Sequence, residues 1–205
     1  MKTTQIACWT ATLLASLSHC TVLTAKEPNC TEFRALAGMA SAKSTGALRA
    51  WSSQAGDGYR AKVVFAFRLF ELHPSDIRSA SAVLDLIPHN DEQDIVWHSL
   101  IYGLDCDART EREVHTLAVL AADLPRDLAR AVLLVPDKML AYISYANISG
   151  GDPHSDYAVQ MQRVCRAKHR EFANAVDRLT PDDKKWFLSG TFNPDGCRAL
   201  HFPEQ

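Results

Sequence analysis

Three groups of side chains in this 205-residue chain have types and spacings from which a site could be built. Asp152, His154 and Asp156 alternate through the loop that begins at Ser149-Gly150-Gly151, and such ligand types can hold a divalent metal. The commoner reading of Asp, Gly and Pro here is a turn, with Asp156 helping to start the next helix. Glu111 and His115 stand one helical turn apart and could share a proton or a metal, although an exposed pair of this kind usually only supports its helix. Arg163, Arg166 and Arg170 fall at helical spacing, with Lys168 and His169 close by, and could grip a carboxylate-rich or phosphorylated partner. The plainer reading is a solvated face, with Glu171 and Asp177 as local counter-charge. His98, beside Trp97 in an apolar stretch, reads as a half-buried packing residue.

None of these groups forms a known catalytic motif. There is no H-E-x-x-H and no G-x-S-x-G, and no Gly-rich phosphate loop precedes a helix. No local cluster offers more than three metal-ligating side chains, so neither a metal nor a cofactor is expected. With 22 basic and 24 acidic residues the formal charge is −2, which lacks the basic excess of a nucleic-acid-binding domain.

Compartment can be read from the first residues. Lys2 is the only charge before Lys26, and an apolar stretch runs from Ile6 to Leu23 and ends at the small Ala25. That is the pattern of a signal peptide over residues 1–25, leaving residues 26–205 as one helical domain that is periplasmic or secreted. The alternative, a membrane anchor, is weakened by the Thr and Ser residues that dilute the run. Lipidation at Cys20 is disfavoured because His19 is not small, and no later stretch is apolar enough to span a bilayer.

Removing the signal takes Cys8 and Cys20 with it and leaves Cys30, Cys106, Cys165 and Cys197. An even number in an exported chain predicts two disulfides. The chain should reverse at Thr180-Pro181, which stands midway between Cys165 and Cys197, so a hairpin brings that pair together. Gly196 would ease the close approach of the backbone. Cys30 with Cys106 then follows by elimination. The sequons at Asn29 and Asn147 would matter only in a eukaryotic source.

The elements that must position these residues read as helices throughout. A first helix is expected within 26–42, and a second, apolar on most sides, from Asp57-Gly58 to Leu72 as a central element. Asp76 and Asn90 or Asp91 are expected N-caps, and Thr110 with Glu113 makes a capping box. The helix capped by Asn90 or Asp91 should face inward through Ile95, Val96, Leu100, Ile101 and Leu104. Pro125 is expected to end the capping-box helix near Ala122 and to open another to Val135, and a further helix follows Pro136. The longest helix is expected from Ser155 to Leu179, and Thr180-Pro181-Asp182-Asp183 starts the last. Helix starts near 57, 76, 91, 110 and 125 repeat pairwise at about 34 residues, the spacing of stacked helical hairpins. The fold is therefore expected to be all-α, either a multi-helix bundle or a short solenoid-like stack, stapled by disulfides.

Such a chain fits a non-catalytic interaction protein of the bacterial envelope or secretome. It would present a helical face, or the 149–156 loop, to another protein or envelope macromolecule. The alternative is a small secreted hydrolase or metal-dependent enzyme built on that loop or on Glu111 and His115.

Overall fold

A computed structural model describes residues 30–104, 106–149, 156–188, 192–193 and 197–199. The chain begins there with α1 (Cys30–Ser41), α2 (Thr45–Ala55) and α3 (Tyr59–Leu72). Then come α4 (Ile77–Leu84), α5 (Asp91–His98) and α6 (Glu111–Leu134). A 3-10 turn (Pro136–Lys138) leads into α7 (Met139–Ser149), followed by α8 (Asp156–Ala167), α9 (His169–Asp177) and α10 (Pro181–Trp186). Phe192–Asn193 and Arg198–Ala199 pair as a short antiparallel bridge, β1 and β2, at the tail.

The helix starts follow from their capping residues. Asp76 accepts from the N–H groups of Arg78 and Ser79, and Asn90 accepts from that of Gln93. Thr110 and Glu113 form the reciprocal capping box, and Thr180 accepts from Asp183 N–H with Pro181 at the first helical position. Gly58 starts α3 without a side-chain cap, so Asp57 plays no capping role there.

The fold is a bundle and not a linear stack. In a solenoid each repeat touches only its neighbours in sequence. Here α6 packs against α1, α3, α4 and α8 as well as α5 and α7, which makes it the axle of the fold. Its inner side is a run of Leu117, Leu120, Leu124, Leu128, Ala131 and Val132, all buried. The expected central helix, α3, buries Val63, Val64, Phe67 and Phe70 beside it, while Phe65, Leu69 and Leu72 are only half-buried.

Three helix boundaries differ from expectation. Pro125 does not divide α6, which runs 24 residues straight through it. An internal proline costs about 3 kcal/mol, and the continuous buried stripe on either side outweighs it. The expected long helix is instead two, α8 and α9, with Lys168 between them at φ −138°, ψ 50°. Lys168 falls in the apolar stripe Met161, Cys165, Phe172, Val176, Leu179, and at the break it is half-buried while those five are buried. Finally, α5 ends at His98, so Ile95 lies exposed and Trp97 is the residue that α5 buries. Ile77, in the first turn of α4, is also exposed.

Two disulfides close the framework, Cys30–Cys106 and Cys165–Cys197. They span 76 and 32 residues, worth about 4–5 and about 3–4 kcal/mol in the chain-entropy model. The pairing is the expected one, but its route differs. The arms are not a simple helical hairpin, since the β1–β2 return lays Cys197 against α8. Cys197 itself takes the left-handed conformation at φ 48°, and Gly196, expected to ease the close approach, lies outside the described residues. No helix among the described residues is long and apolar enough to cross a membrane.

Candidate functional site

A groove of about 420 Å3 opens between the end of α5, the middle of α6 and the start of α8. Its floor is Trp97, Leu100, Leu117 and Tyr157, each buried. One wall is the small-residue face of α6, formed by Ala118, Ala121, Ala122 and Pro125. Having no N–H, Pro125 leaves the Ala121 carbonyl without its usual helical donor, and both residues line the groove. His98, Ser99 and Asp156 supply the polar groups.

The floor is held by a ladder of aromatic rings. Phe67, Trp97, Tyr145 and Tyr157 meet edge to face in sequence, with centroids 5.3, 5.2 and 5.6 Å apart. Such contacts favour one arrangement of the rings beyond simple burial. Burial pushes the Tyr157 hydroxyl up to about 12, against the smaller opposing effect of its hydrogen bond with Tyr145. Tyr145 in turn donates to Asp94 Oδ1 at 3.1 Å, and Asp94 Oδ2 lies 3.5 Å from His98 Nε2. A polar chain thus runs from the buried Tyr157 to an imidazole on the groove's rim. It fixes the orientation of Asp94 and gives a protonated His98 a counter-ion. The Tyr157 phenol stays neutral at physiological pH.

Asp156 is the only residue of the Asp152, His154 and Asp156 set within the described residues, and it is exposed at the start of α8 on the groove wall. Asp152 and His154 lie outside them. Glu111 and His115 are both exposed in the first two turns of α6, and no hydrogen bond or ion pair joins them. Arg163 and Arg166 belong to α8 and Arg170 to α9, and the helical bonds through Lys168 keep Arg166 and Arg170 one turn apart across the break. Arg163 donates to Gln160, and Arg166 and Arg170 are exposed. Asn29 lies outside the described residues, and Asn147 falls within α7. His98 is not half-buried, as its side chain is 53% exposed.

The sequence reading missed the relation of Asp94 to His98, although its four-residue spacing on a capped helix is the one noticed for Glu111 and His115. It also missed Asp127. This carboxyl is fully buried on α6, with Oδ1 3.4 Å from Arg126 Nε and 3.1 Å from Arg130 Nη1. Burial raises its pKa above the usual range, the two guanidiniums oppose that, and Glu71 adds to it. A charged group in a leucine stripe has no periodic signature.

A second cleft, of about 270 Å3, lies where α1, α2 and the start of α6 meet. It is bordered by Arg34, Arg112 and the half-exposed ring of Trp51. Glu113 also borders it, but its carboxylate is engaged by Thr110, whose hydrogen bonds hold it below the usual range. Compared with known proteins, the chain matches no protein-family model, no curated protein and no solved structure, so the groove has only its own chemistry to speak for it.

Proposed function

We propose that the protein is an exported, non-catalytic binding protein of the bacterial envelope or secretome. Its α5–α6–α8 groove takes an apolar protein segment flanked by basic residues. The carrying observation is the groove itself, which is apolar at its floor, backed by a rigid ring ladder, and within the size range of binding pockets. Charge supports the choice of partner. Asp91, Glu92 and Asp94 on α5 and Asp156 at the opposite wall are acidic, and α5 contains no Lys or Arg. Of six exposed large apolar residues among the described residues, Ile95, Tyr102 and Val119 belong to the segments that form the groove. Disulfides and export fit one another, because an oxidising compartment lets such bridges form.

The test is a titration with a helical Leu/Lys peptide against a Leu/Glu peptide of the same length. Binding of the Lys form alone, lost in Ala118→Trp and Ala121→Arg, is expected. Equal binding of both peptides, or no effect of the two groove substitutions, refutes the reading. The Asp94–His98 pair on the rim is the one observation that favours an enzyme instead. An enzymatic role would therefore rest on His98 and not on Glu111 and His115, and turnover abolished in His98→Ala would establish it.

A further inference from the structure

A second group of side chains converges away from the groove, at the junction of α8, α9 and the tail. The Sγ atoms of Cys165 and Cys197 and a ring nitrogen of His169 all lie within 4.8 Å of one another. Cys165 and His169 are four apart, so one helical turn places them on the same side, and the break at Lys168 does not undo this. Lys168 N–H still bonds the Val164 carbonyl and Phe172 N–H the Lys168 carbonyl, both at 2.9 Å. The third member arrives from the other direction, on the β1–β2 return. Among the described residues no other group of three metal-ligating side chains comes together, and the Cys30–Cys106 bridge has no imidazole or carboxylate in such a group.

We propose that the Cys165–Cys197 bridge is one state of a two-state site, and that in the reduced state Cys165, Cys197 and His169 bind a zinc-like divalent ion. The ligand set is two thiolates and one imidazole, a combination that suits zinc and leaves a fourth position for water. The balance is simple. A dithiol reductant gives two electrons and two protons to the bridge, producing two cysteine thiols and its own cyclic disulfide. The ion then displaces the two thiol protons to solvent and takes a lone pair from a neutral ring nitrogen of His169. Tetrahedral coordination needs the two sulfurs about 3.7 Å apart, at about 2.3 Å from the ion. Opening the bridge allows that through side-chain rotation, with the backbone left where the disulfide had set it. Both cysteines are buried and His169 is exposed, so the imidazole side is where an ion and its water would enter.

Cobalt(II) is the probe, since thiolate-to-cobalt charge transfer reports sulfur ligation directly. The mature chain, reduced with a phosphine at pH 7.5, is expected to take up one cobalt per chain with near-ultraviolet thiolate bands and tetrahedral visible bands, displaced by zinc. The oxidised chain should give none. His169→Ala should weaken binding at least tenfold, Cys197→Ser should abolish the bands, and a folded Cys30→Ser/Cys106→Ser double variant should retain them. If that double variant does not fold, the exposed His169 still decides, because its loss leaves the core intact. Absence of the bands in reduced, folded protein overturns the proposal, as does equal affinity in His169→Ala or their loss in a folded Cys30→Ser/Cys106→Ser variant.

Discussion

The indole ring of Trp51 rests on the backbone of Gly38, so close that a Cβ at position 38 would stand 2.3 Å from the ring. This contact sets how nearly α1 and α2 approach, and it holds a ring that is 37% exposed in place at the second cleft. Gly38→Ala gains about 1 kcal/mol of helix propensity, but overpacking of this kind costs about 1–3 kcal/mol. The net expectation is a destabilisation of up to about 2 kcal/mol. In a Trp51→Ala background the clash is gone, and the same change should stabilise by about 0.5–1 kcal/mol. Urea unfolding of the four proteins measures the coupling, and additive effects would show that the ring moves aside at no cost.

Much of the fold can be read from the sequence because caps and breakers are local. Asp76, Asn90, Thr110 with Glu113, and Thr180 cap their helices as their residue types predict. The cysteine pairing was legible too, from the reversal near Thr180. What could not be read is decided by tertiary packing. Pro125 is a helix breaker by type, and only the burial of α6 on several neighbours keeps the helix whole. Lys168 breaks a helix without being a breaker by type, at φ −138° and ψ 50° between α8 and α9. The groove is the extreme case. Its residues come from three separate segments, and Trp97, Ala121 and Tyr157 share no motif that would announce their meeting.

Pro125 offers a direct trade between stability and binding. Pro125→Ala supplies the N–H that the Ala121 carbonyl lacks and removes a helix penalty of about 3 kcal/mol. Against that, about two methylenes of buried surface are lost, roughly 1.6 kcal/mol. A net stabilisation of about 1–2 kcal/mol is expected in urea unfolding. The groove loses part of its wall and its spare acceptor, so the Leu/Lys peptide should bind several-fold more weakly. A less stable variant would mean that ring packing outweighs the helical bond. Unchanged peptide affinity would mean that this wall takes no part in binding.

Acid stability should depend on two capping carboxylates. Asp76 is held below the usual carboxylate range first by the Ser79 hydroxyl, then by the backbone N–H of Ser79. Glu113 is held low first by the Thr110 N–H and then by the Thr110 hydroxyl, each donating at 2.8 Å. In both cases the folded pKa lies below the unfolded one, which is about 3.9 for Asp and about 4.3 for Glu. The stabilisation is therefore fully present above the unfolded values and lost as pH falls through the folded ones. Asn and Gln keep the acceptors for Ser79 and Thr110 without titrating, since Asn caps a helix as well as Asp and Gln can replace Glu in a capping box, and only the longer bond from Arg78 N–H is given up. The Asp76→Asn/Glu113→Gln protein should accordingly unfold at nearly the wild-type temperature at pH 7. Between about pH 4.5 and pH 3 its melting temperature should fall less steeply than that of the wild type. Thermal unfolding followed by circular dichroism across that range measures both slopes. Parallel slopes would show that these two caps contribute nothing to acid denaturation, leaving it to other carboxylates.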